Sequence, residues 1–526
     1  MRTRAGAFYN RLVAALGRNR ADILLIIAAA AYSLPGIGYP FGRDQGLHFY
    51  VGREWLNGLV PYRDAFDNKP PGIYLIHALG IVILGARQWA IRVMELGAVL
   101  VTGLVAARAV RRDRPPVNGE AGIITLLFAG FYFTCFDYWD TAQVESWEGL
   151  ALMASYAVAE SELDVRRRAV LSGLLAGAAF LFKLPAAVPG VVIAGVLAVR
   201  AGTSSDGSPM RTIFVSIVLY GCGFFSLIGA CVAYFALRGG LGAMFDILYG
   251  FNTYCAVNSP ITTGTAREWV RYFWINHCGE WIWLAFGSWL AGTLLAVRRR
   301  AWRIVRGALN AMLLCLSAAA SVYIQQKFYA YHWAVMVPFI ILCLGYGIAE
   351  CMRRLPRITL AAGIGILMYT FLAAPPWYSN TSVTYPIATV CFWEYASGNM
   401  ARDVYLKQFT GVNQYDYHDM ESLGNMVRDR AQPGDRLQVR GFEPTIYAVS
   451  GLRSPSRFFI ENPLKDPAMN YHRAAWRAEH ERACWKNPPR FVVTFSNDTN
   501  DIAALLKRGY LKTGSEGRFV LLERGR

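Results

Sequence analysis

Charge is scarce in this chain. Asp, Glu, Lys and Arg make up only 17% of its 526 residues, against 54% hydrophobic, and the mean hydropathy is +0.27. That balance excludes a single soluble core and fits a polytopic membrane protein. Acids are scarcer still, with 36 Asp and Glu against 53 Lys and Arg, for a net charge of +17. Such an excess can mark a nucleic-acid binder, but here the basic residues fall in short clusters between apolar runs, as in Arg111-Arg-Asp-Arg114 and Arg298-Arg-Arg300. This is the pattern of cytoplasmic loops facing an anionic leaflet, so membrane lipids are expected as partners and nucleic acid is not. The ten cysteines contain no C-x-x-C and no zinc spacing. They read mostly as small core residues, with Cys255/Cys278 and Cys391/Cys484 as candidate disulfides on an oxidising face. No Gly-rich phosphate loop opens a strand–helix unit, which leaves no nucleotide site. No heptad, long repeat or low-complexity tract is present, and the Gly/Ser-rich stretch from Ala201 to Pro209 reads as a cytoplasmic loop.

What is present is a series of apolar runs. The first, from Ala21 to about Tyr39, follows Arg2, Arg4, Arg11, Arg18 and Arg20 and is trailed by no small-residue cleavage site, so it reads as a retained span with its end outside the cytoplasm. Gly72 to Gly85 is apolar but shorter than the ~20 residues a helix needs to cross the hydrocarbon. Parity decides its placement. If it crossed, the clusters at 111–114, 166–168, 298–300 and 353–354 would all lie outside; as a re-entrant or interfacial helix it returns every one to the cytoplasm. The expected spans are then 21–39, 91–110, 121–137, 146–161, 169–183, 185–200, 212–236, 280–297, 307–324, 333–351 and 358–376, about eleven in all. After about Trp377 the composition becomes that of a soluble domain. Leu437–Arg440, Phe491–Phe495 and Phe519–Leu522 read as strands, 418–430, 471–483 and 500–508 as helices, and Pro433-Gly-Asp435 as a turn. The expected architecture is a polytopic all-α membrane domain over 1–377 and a small extracytoplasmic α/β domain over 378–526.

This threading gathers the polar residues on the outer face. Asp44 lies in Phe41-Gly-Arg-Asp-Gln-Gly46 directly after the first span, where it suits either a general base or a helix N-cap. Lys69, in Asn68-Lys-Pro-Pro-Gly72, is aimed by the prolines that follow and fits a phosphate or a lipid headgroup. Lys327 and His332 flank Tyr329 and Tyr331 in a cation-and-aromatic turn that suits phosphate or a sugar face, and interfacial anchoring explains the aromatics equally. Arg43 adds a further candidate phosphate contact. Glu145 opens a helix after Asp137 and Asp140. Asp44, Asp140 and Glu145 are a candidate set for a divalent metal, although their spacing is no known loop motif. Lys183, before Pro185, reads as a snorkelling interfacial lysine.

Asp44 after the first span, Gly58-Leu-Val-Pro-Tyr-Arg-Asp64 and Lys69-Pro-Pro71 together resemble the bacterial branch of the dolichyl-phosphate-mannose protein mannosyltransferase family, which includes the lipid A aminoarabinose transferase and belongs to the GT-C membrane glycosyltransferases. The resemblance extends through Gly85, Arg92, the Glu145 region, Lys327 to Pro338, and Gly441-Phe-Glu-Pro-Thr-Ile-Tyr447. It implies transfer of a sugar from a polyprenyl-phosphate donor to an envelope glycan, lipid or protein outside the cytoplasmic membrane, with no required cofactor. Asp44 then matches the catalytic acid, Lys69 the phosphate-contacting lysine, and Glu145 the second-loop acid. The chain departs at Gln45, where many relatives carry Glu, and at Asn68, where they carry an acid. A ligase or polymerase using a lipid diphosphate and a lipid-linked sugar transporter are the alternative readings.

Overall fold

The structure is a computed structural model that describes residues 19–112, 114–203, 208–258, 263–374, 383–411, 415–466, 469 and 471–525. Arg2, Arg4, Arg11 and Arg18, the centre of the 201–209 loop and the boundary near 377 lie outside the described residues.

Each expected span is a helix. In chain order these are α1 (Arg20–Ser33), α4 (Gln88–Arg111), α5 (Glu120–Cys135), α6 (Val144–Ala159), α7 (Val165–Phe182), α8 (Ala187–Thr203), α9 (Pro209–Leu237), α10 (Gly279–Arg298), α11 (Trp302–Ile324), α12 (Val337–Met352) and α13 (Pro356–Leu372), with α2 (Arg43–Leu56) and α3 (Gly72–Leu84) between the first two. Among the described residues seven helical stretches are long and apolar enough to cross a membrane by length and composition. α5 and α13 are shorter apolar helices, and α6 carries Glu145 and Glu148 within 16 residues. Large apolar side chains on these helices face outward, among them Leu24, Ile27, Phe214, Phe225 and Trp283. Only a lipid surround makes that exposure cheap, and the chain is a multi-pass membrane protein.

The ends of the bundle differ in chemistry. At one end, arginines pair with acids from neighbouring helices: Arg111 with Asp22 at 3.0 Å, Arg112 with Glu160, Arg200 with Glu162 at 3.0 Å, and Arg299 with Glu350 at 3.0 Å. At the other end lie Asp44, Lys69, Asp140, Glu145, Lys183 and Lys327. The path of α3 separates the two sets. Its 13 residues make about 20 Å of helix, short of a ~30 Å hydrocarbon core. It begins against α7, where Gly72 approaches the Leu181 carbonyl, and after Gly85, whose φ of +88° favours glycine, the chain turns into α4. The first turns of α4 lie at the same end as the start of α2, because Arg92 donates to the Pro40 carbonyl. α3 therefore leaves the bundle end it entered from, as parity required.

The segment between the expected spans 212–236 and 280–297 is mostly helical among its described residues. It forms short turns over Leu241–Phe245, Asn252–Val257 and Thr263–Arg271, with π-helical turns at Asp246–Phe251 and Tyr272–His277. It is fixed to the Lys69 segment by reciprocal amides. Asn68 Nδ2 donates to Asn252 Oδ1 at 3.1 Å and Asn252 Nδ2 returns to the Asn68 backbone carbonyl at 2.9 Å, and an acid at 68 would lose the first of these bonds.

The C-terminal part contains α14 (Tyr385–Ala396), α15 (Tyr417–Arg430), α16 (Thr445–Ser450), α17 (Arg473–Lys486), α18 (Thr499–Lys507) and the strands β1 (Leu437–Val439), β2 (Phe491–Phe495), β3 (Tyr510–Glu516) and β4 (Phe519–Arg524). The sheet order is β1-β2-β4-β3, with β1 parallel to β2 and the other pairs antiparallel. β3 escapes the sequence reading because it is an edge strand with mostly exposed, polar residues, so no apolar alternation marks it. All ten cysteines are free thiols, which removes the Cys255/Cys278 and Cys391/Cys484 pairings.

Candidate active site at one end of the bundle

The site is built on α2, the 60–71 loop, the 136–143 loop and the 325–336 turn. α2 starts at Arg43 with Gly42 as N-cap, so Asp44 lies in the first helical turn rather than at the cap. There its charge faces the positive end of the helix dipole. Gly42 is required by close approach, since a Cβ there would meet the Gln45 side-chain oxygen at 2.6 Å and the Trp139 backbone at 3.3 Å.

Lys69 is positioned through its backbone. Its carbonyl accepts hydrogen bonds from the Tyr62 hydroxyl at 2.8 Å and the Tyr74 hydroxyl at 2.9 Å, and Tyr74 also donates to Asp67 at 2.8 Å. The Lys69 ammonium stands 5.8 Å from the centre of the Tyr331 ring. Burial works against its charge, yet Asp44, Glu145 and Asp67 outweigh that and hold its pKa above the usual lysine value, with Asp44 the strongest of the three. Lys327 has the opposite balance. Burial, then Lys69, lower it to about 8. Burial also pushes Asp67 up to about 7 despite Lys69, and Asp140 is raised by burial and by Asp137, Asp44 and Glu145. Among the described residues no hydrogen bond or salt bridge engages the Asp44 carboxylate, the Lys69 ammonium or the Lys327 ammonium, and all three side chains are half-buried. An unbonded acid and two unbonded cations in one electrostatic neighbourhood form a preorganised receptor for an anion and a proton.

The remaining expected site residues have other attachments. Glu145 is fully buried and forms an ion pair with Lys183, so Lys183 is no snorkelling anchor: it reaches inward because α6 and α7 pack side by side. The same Glu145 oxygen lies 3.7 Å from His332 Nε2, and His332 Nδ1 bonds the Lys327 carbonyl at 2.5 Å. Both His332 nitrogens thus face protein groups, Glu145 and the Lys327 carbonyl. Arg43 is likewise paired. Its guanidinium meets Glu443 at 3.2 Å and lies 5.3–5.7 Å from the Trp139, Tyr415 and Phe442 rings. Glu443 also takes Arg518 at 2.8 Å, so Arg43 ties α2 to the C-terminal part. Asp44, Asp140 and Glu145 do not converge on one ion. Among the described residues the one group of three donors that close together is Asp416, His418 and Asp419, none of them a member of that set.

The motif Gly441 to Tyr447 gains a physical meaning here. Besides Glu443, it supplies Thr445, whose Oγ1 bonds the Tyr415 hydroxyl at 2.9 Å and packs against Gly46 of α2. Arg53, farther along α2, donates to the carbonyls of Tyr447 at 2.9 Å and Leu452 at 2.8 Å. The C-terminal part is thereby a wall of the site, not a tethered appendage. Residues to which the sequence reading gave no role include Asp67, Glu443 and Glu148. Glu148 is fully buried one helical turn from Glu145, with no hydrogen bond to either oxygen. A second acid three residues along an apolar helix was the available signal.

The Glu145–Lys183 pair carries an expected result. Removing one partner of a buried ion pair costs about 3–5 kcal/mol, because the other charge is stranded. Lys183→Met is expected to lower the detergent-solubilised melting temperature, and adding Glu145→Gln to recover much of it. Equal stability of Lys183→Met and the parent protein would contradict the pairing.

Comparison with known proteins bears on the fold. Residues 68–231 match the family described as dolichyl-phosphate-mannose-protein mannosyltransferase. Two solved structures of ArnT from Cupriavidus metallidurans share the fold: the apo state with a TM-score of 0.57 and the undecaprenyl phosphate complex with 0.53. Each is 14% identical to this chain, covering 96% of it and 98% or 99% of the ArnT chain. No curated protein matches by sequence. The chain has an ArnT-like fold, and the segment that matches the mannosyltransferase family runs from the residue before Lys69 into α9.

Proposed function

We propose that this protein transfers a sugar from a polyprenyl-phosphate donor to a cell-envelope glycan, lipid or protein on the outer face of the cytoplasmic membrane, with inversion at the anomeric carbon. The observation that carries the reading is the unbonded Asp44 carboxylate beside the unbonded Lys69 and Lys327 ammoniums. Lys69 and Lys327 hold the phosphate and compensate its charge as the glycosidic C–O bond breaks. Asp44 accepts the proton of the acceptor hydroxyl as that oxygen attacks the anomeric carbon from the opposite face. The binding of undecaprenyl phosphate by the ArnT of similar fold supports a polyprenyl-phosphate donor. Clustering of the cations and acids at one bundle end, rather than midway along it, favours a transferase over a transporter. Mass spectrometry of envelope lipids and glycans from a deletion strain tests the reading. One component is expected to lose a terminal sugar, and an unchanged envelope would contradict it.

Residues 378–526 form, in this reading, an extracytoplasmic domain beside the site. In a cysteine-free background, Asn399→Cys is expected to react with an impermeant maleimide on intact cells and Ser208→Cys to react only after lysis. Labelling of Ser208→Cys from outside would invert the arrangement.

Binding of the donor is expected to depend on pH through Lys327. With its pKa lowered to about 8, it loses its ammonium as pH rises through that value, while Lys69, held above the ordinary lysine value, keeps its own. Affinity for a short-chain phosphodiester, whose charge is constant in this range, should fall between pH 7 and 9. Lys327→Ala should remove that step; a profile identical to wild type would take Lys327 out of the phosphate site.

A further inference from the structure

The acids of this site repel one another, and something must hold them together. Asp140 is buried and lies within electrostatic reach of Asp44, Asp137 and Glu145. Its loop is short and leaves a helix end, so unrestrained it would move toward solvent. Besides Asp137, whose Oδ1 accepts the Trp139 and Asp140 N–H groups, and the Tyr331 N–H on Asp140, two fully buried side chains hold the loop from outside it. Gln45, next to Asp44, directs its amide nitrogen at the carbonyls of Tyr138 (3.4 Å), Trp139 (2.9 Å) and Thr141 (2.6 Å). Arg92, from the first turns of α4, donates to the Pro40 carbonyl (2.9 Å), the Tyr138 carbonyl (2.7 Å) and Thr141 Oγ1 (2.8 Å). Every one of these contacts is a donor on the clamping side and an oxygen on the loop side. Glu95, one turn along from Arg92 and 3.4 Å from it, accepts the Tyr132 hydroxyl and the Ala142 N–H, which pins Ala142 at a φ of +53°.

We propose that Gln45 and Arg92 are positioning residues, a two-sided hydrogen-bond donor clamp that joins the loop after α1 to the loop before α6 and so sets Asp44 against Asp140. The inference rests on the reading of Asp44 as the base. It also accounts for Gln at 45: a carboxylate there would face three carbonyl oxygens with no hydrogen to offer, whereas the amide supplies two. Among the described residues neither Gln45 nor Arg92 hydrogen-bonds the Lys69 loop or the Lys327 turn, and the clamped loop meets that turn only where Asp140 accepts the Tyr331 N–H, so turnover should fall much further than donor affinity.

The test uses full-length protein carrying Gln45→Leu and the isosteric Gln45→Glu. Both are expected to lower kcat on the order of 10²-fold, the cost of misplacing a reacting group by about 1 Å, while affinity for a polyprenyl-phosphate analogue stays at the wild-type value. A space-filling role alone would spare Gln45→Glu, so wild-type turnover in that variant would overturn the clamp. Hydrogen exchange supplies a readout independent of activity: amides of 138–142 should exchange faster in Gln45→Leu, and unchanged exchange would also overturn it. Faster exchange together with an active Asp44→Asn enzyme would leave the clamp standing and remove the base. Should Gln45→Leu fail to accumulate, Thr141→Val, which deletes one acceptor of Arg92, should show the same loss of kcat at unchanged donor affinity, and normal kcat there would count against the proposal.

Discussion

Asp44→Asn is expected to abolish transfer, with a loss on the order of 10²-fold or more, the usual contribution of a general base. The amide keeps the shape of the side chain and removes its capacity to take a proton. Asp44 bears no structural hydrogen bond or salt bridge among the described residues, so folding should be little affected. Donor affinity should fall far less than turnover, because the phosphate is held by lysines on other segments. Single-turnover kinetics with saturating donor separate the two effects. Near-normal turnover would remove Asp44 from the chemistry.

Lys69→Ala is the second large effect. A charge-assisted contact of this kind is worth about 1.5–3 kcal/mol, so affinity for a polyprenyl-phosphate analogue should fall roughly ten- to hundredfold. Turnover should fall as well, since the same ammonium stabilises the departing phosphate. Lys69→Arg keeps the charge but changes its shape, and should recover part of the affinity and less of the turnover, because the guanidinium reaches farther along a loop whose backbone is fixed by Tyr62 and Tyr74. Unchanged affinity in Lys69→Ala would defeat the phosphate assignment.

Much of the helical part was legible in the sequence because long apolar runs and basic clusters are strong signals. The short length of α3 is legible too, and at the opposite bundle end from Asp44 and Lys69 Arg111 pairs with Asp22 and Arg299 with Glu350. Three strands and three helices of the C-terminal part were readable from alternation and turn residues; β3 was not, because a solvent-facing edge carries no such pattern. Asp44, Lys69 and Lys327 were visible as ionisable residues beside spans. The partners of the others were not. Lys183 reads as an anchor from sequence because its position beside a proline turn fits one, and only the lateral packing of α6 on α7 reveals the buried Glu145 opposite it. His332 reads from sequence as part of a cation-and-aromatic turn and Arg43 as a basic residue beside Asp44, and the fold shows their partners to be Glu145, the Lys327 carbonyl and Glu443. Gln45 looked like a departure from a pattern, and became a donor to three carbonyls once the second loop was seen to close over it.

The central claim is that a sugar on a polyprenyl monophosphate reacts at Asp44. The most direct measurement is transfer by the purified protein in lipid nanodiscs, comparing polyprenyl-monophosphate and polyprenyl-diphosphate sugars, with Asp44→Asn alongside. The expected result is sugar transfer and release of polyprenyl phosphate from the monophosphate donor alone, lost in Asp44→Asn. Consumption of only the diphosphate donor, or equal turnover by Asp44→Asn, would contradict the account.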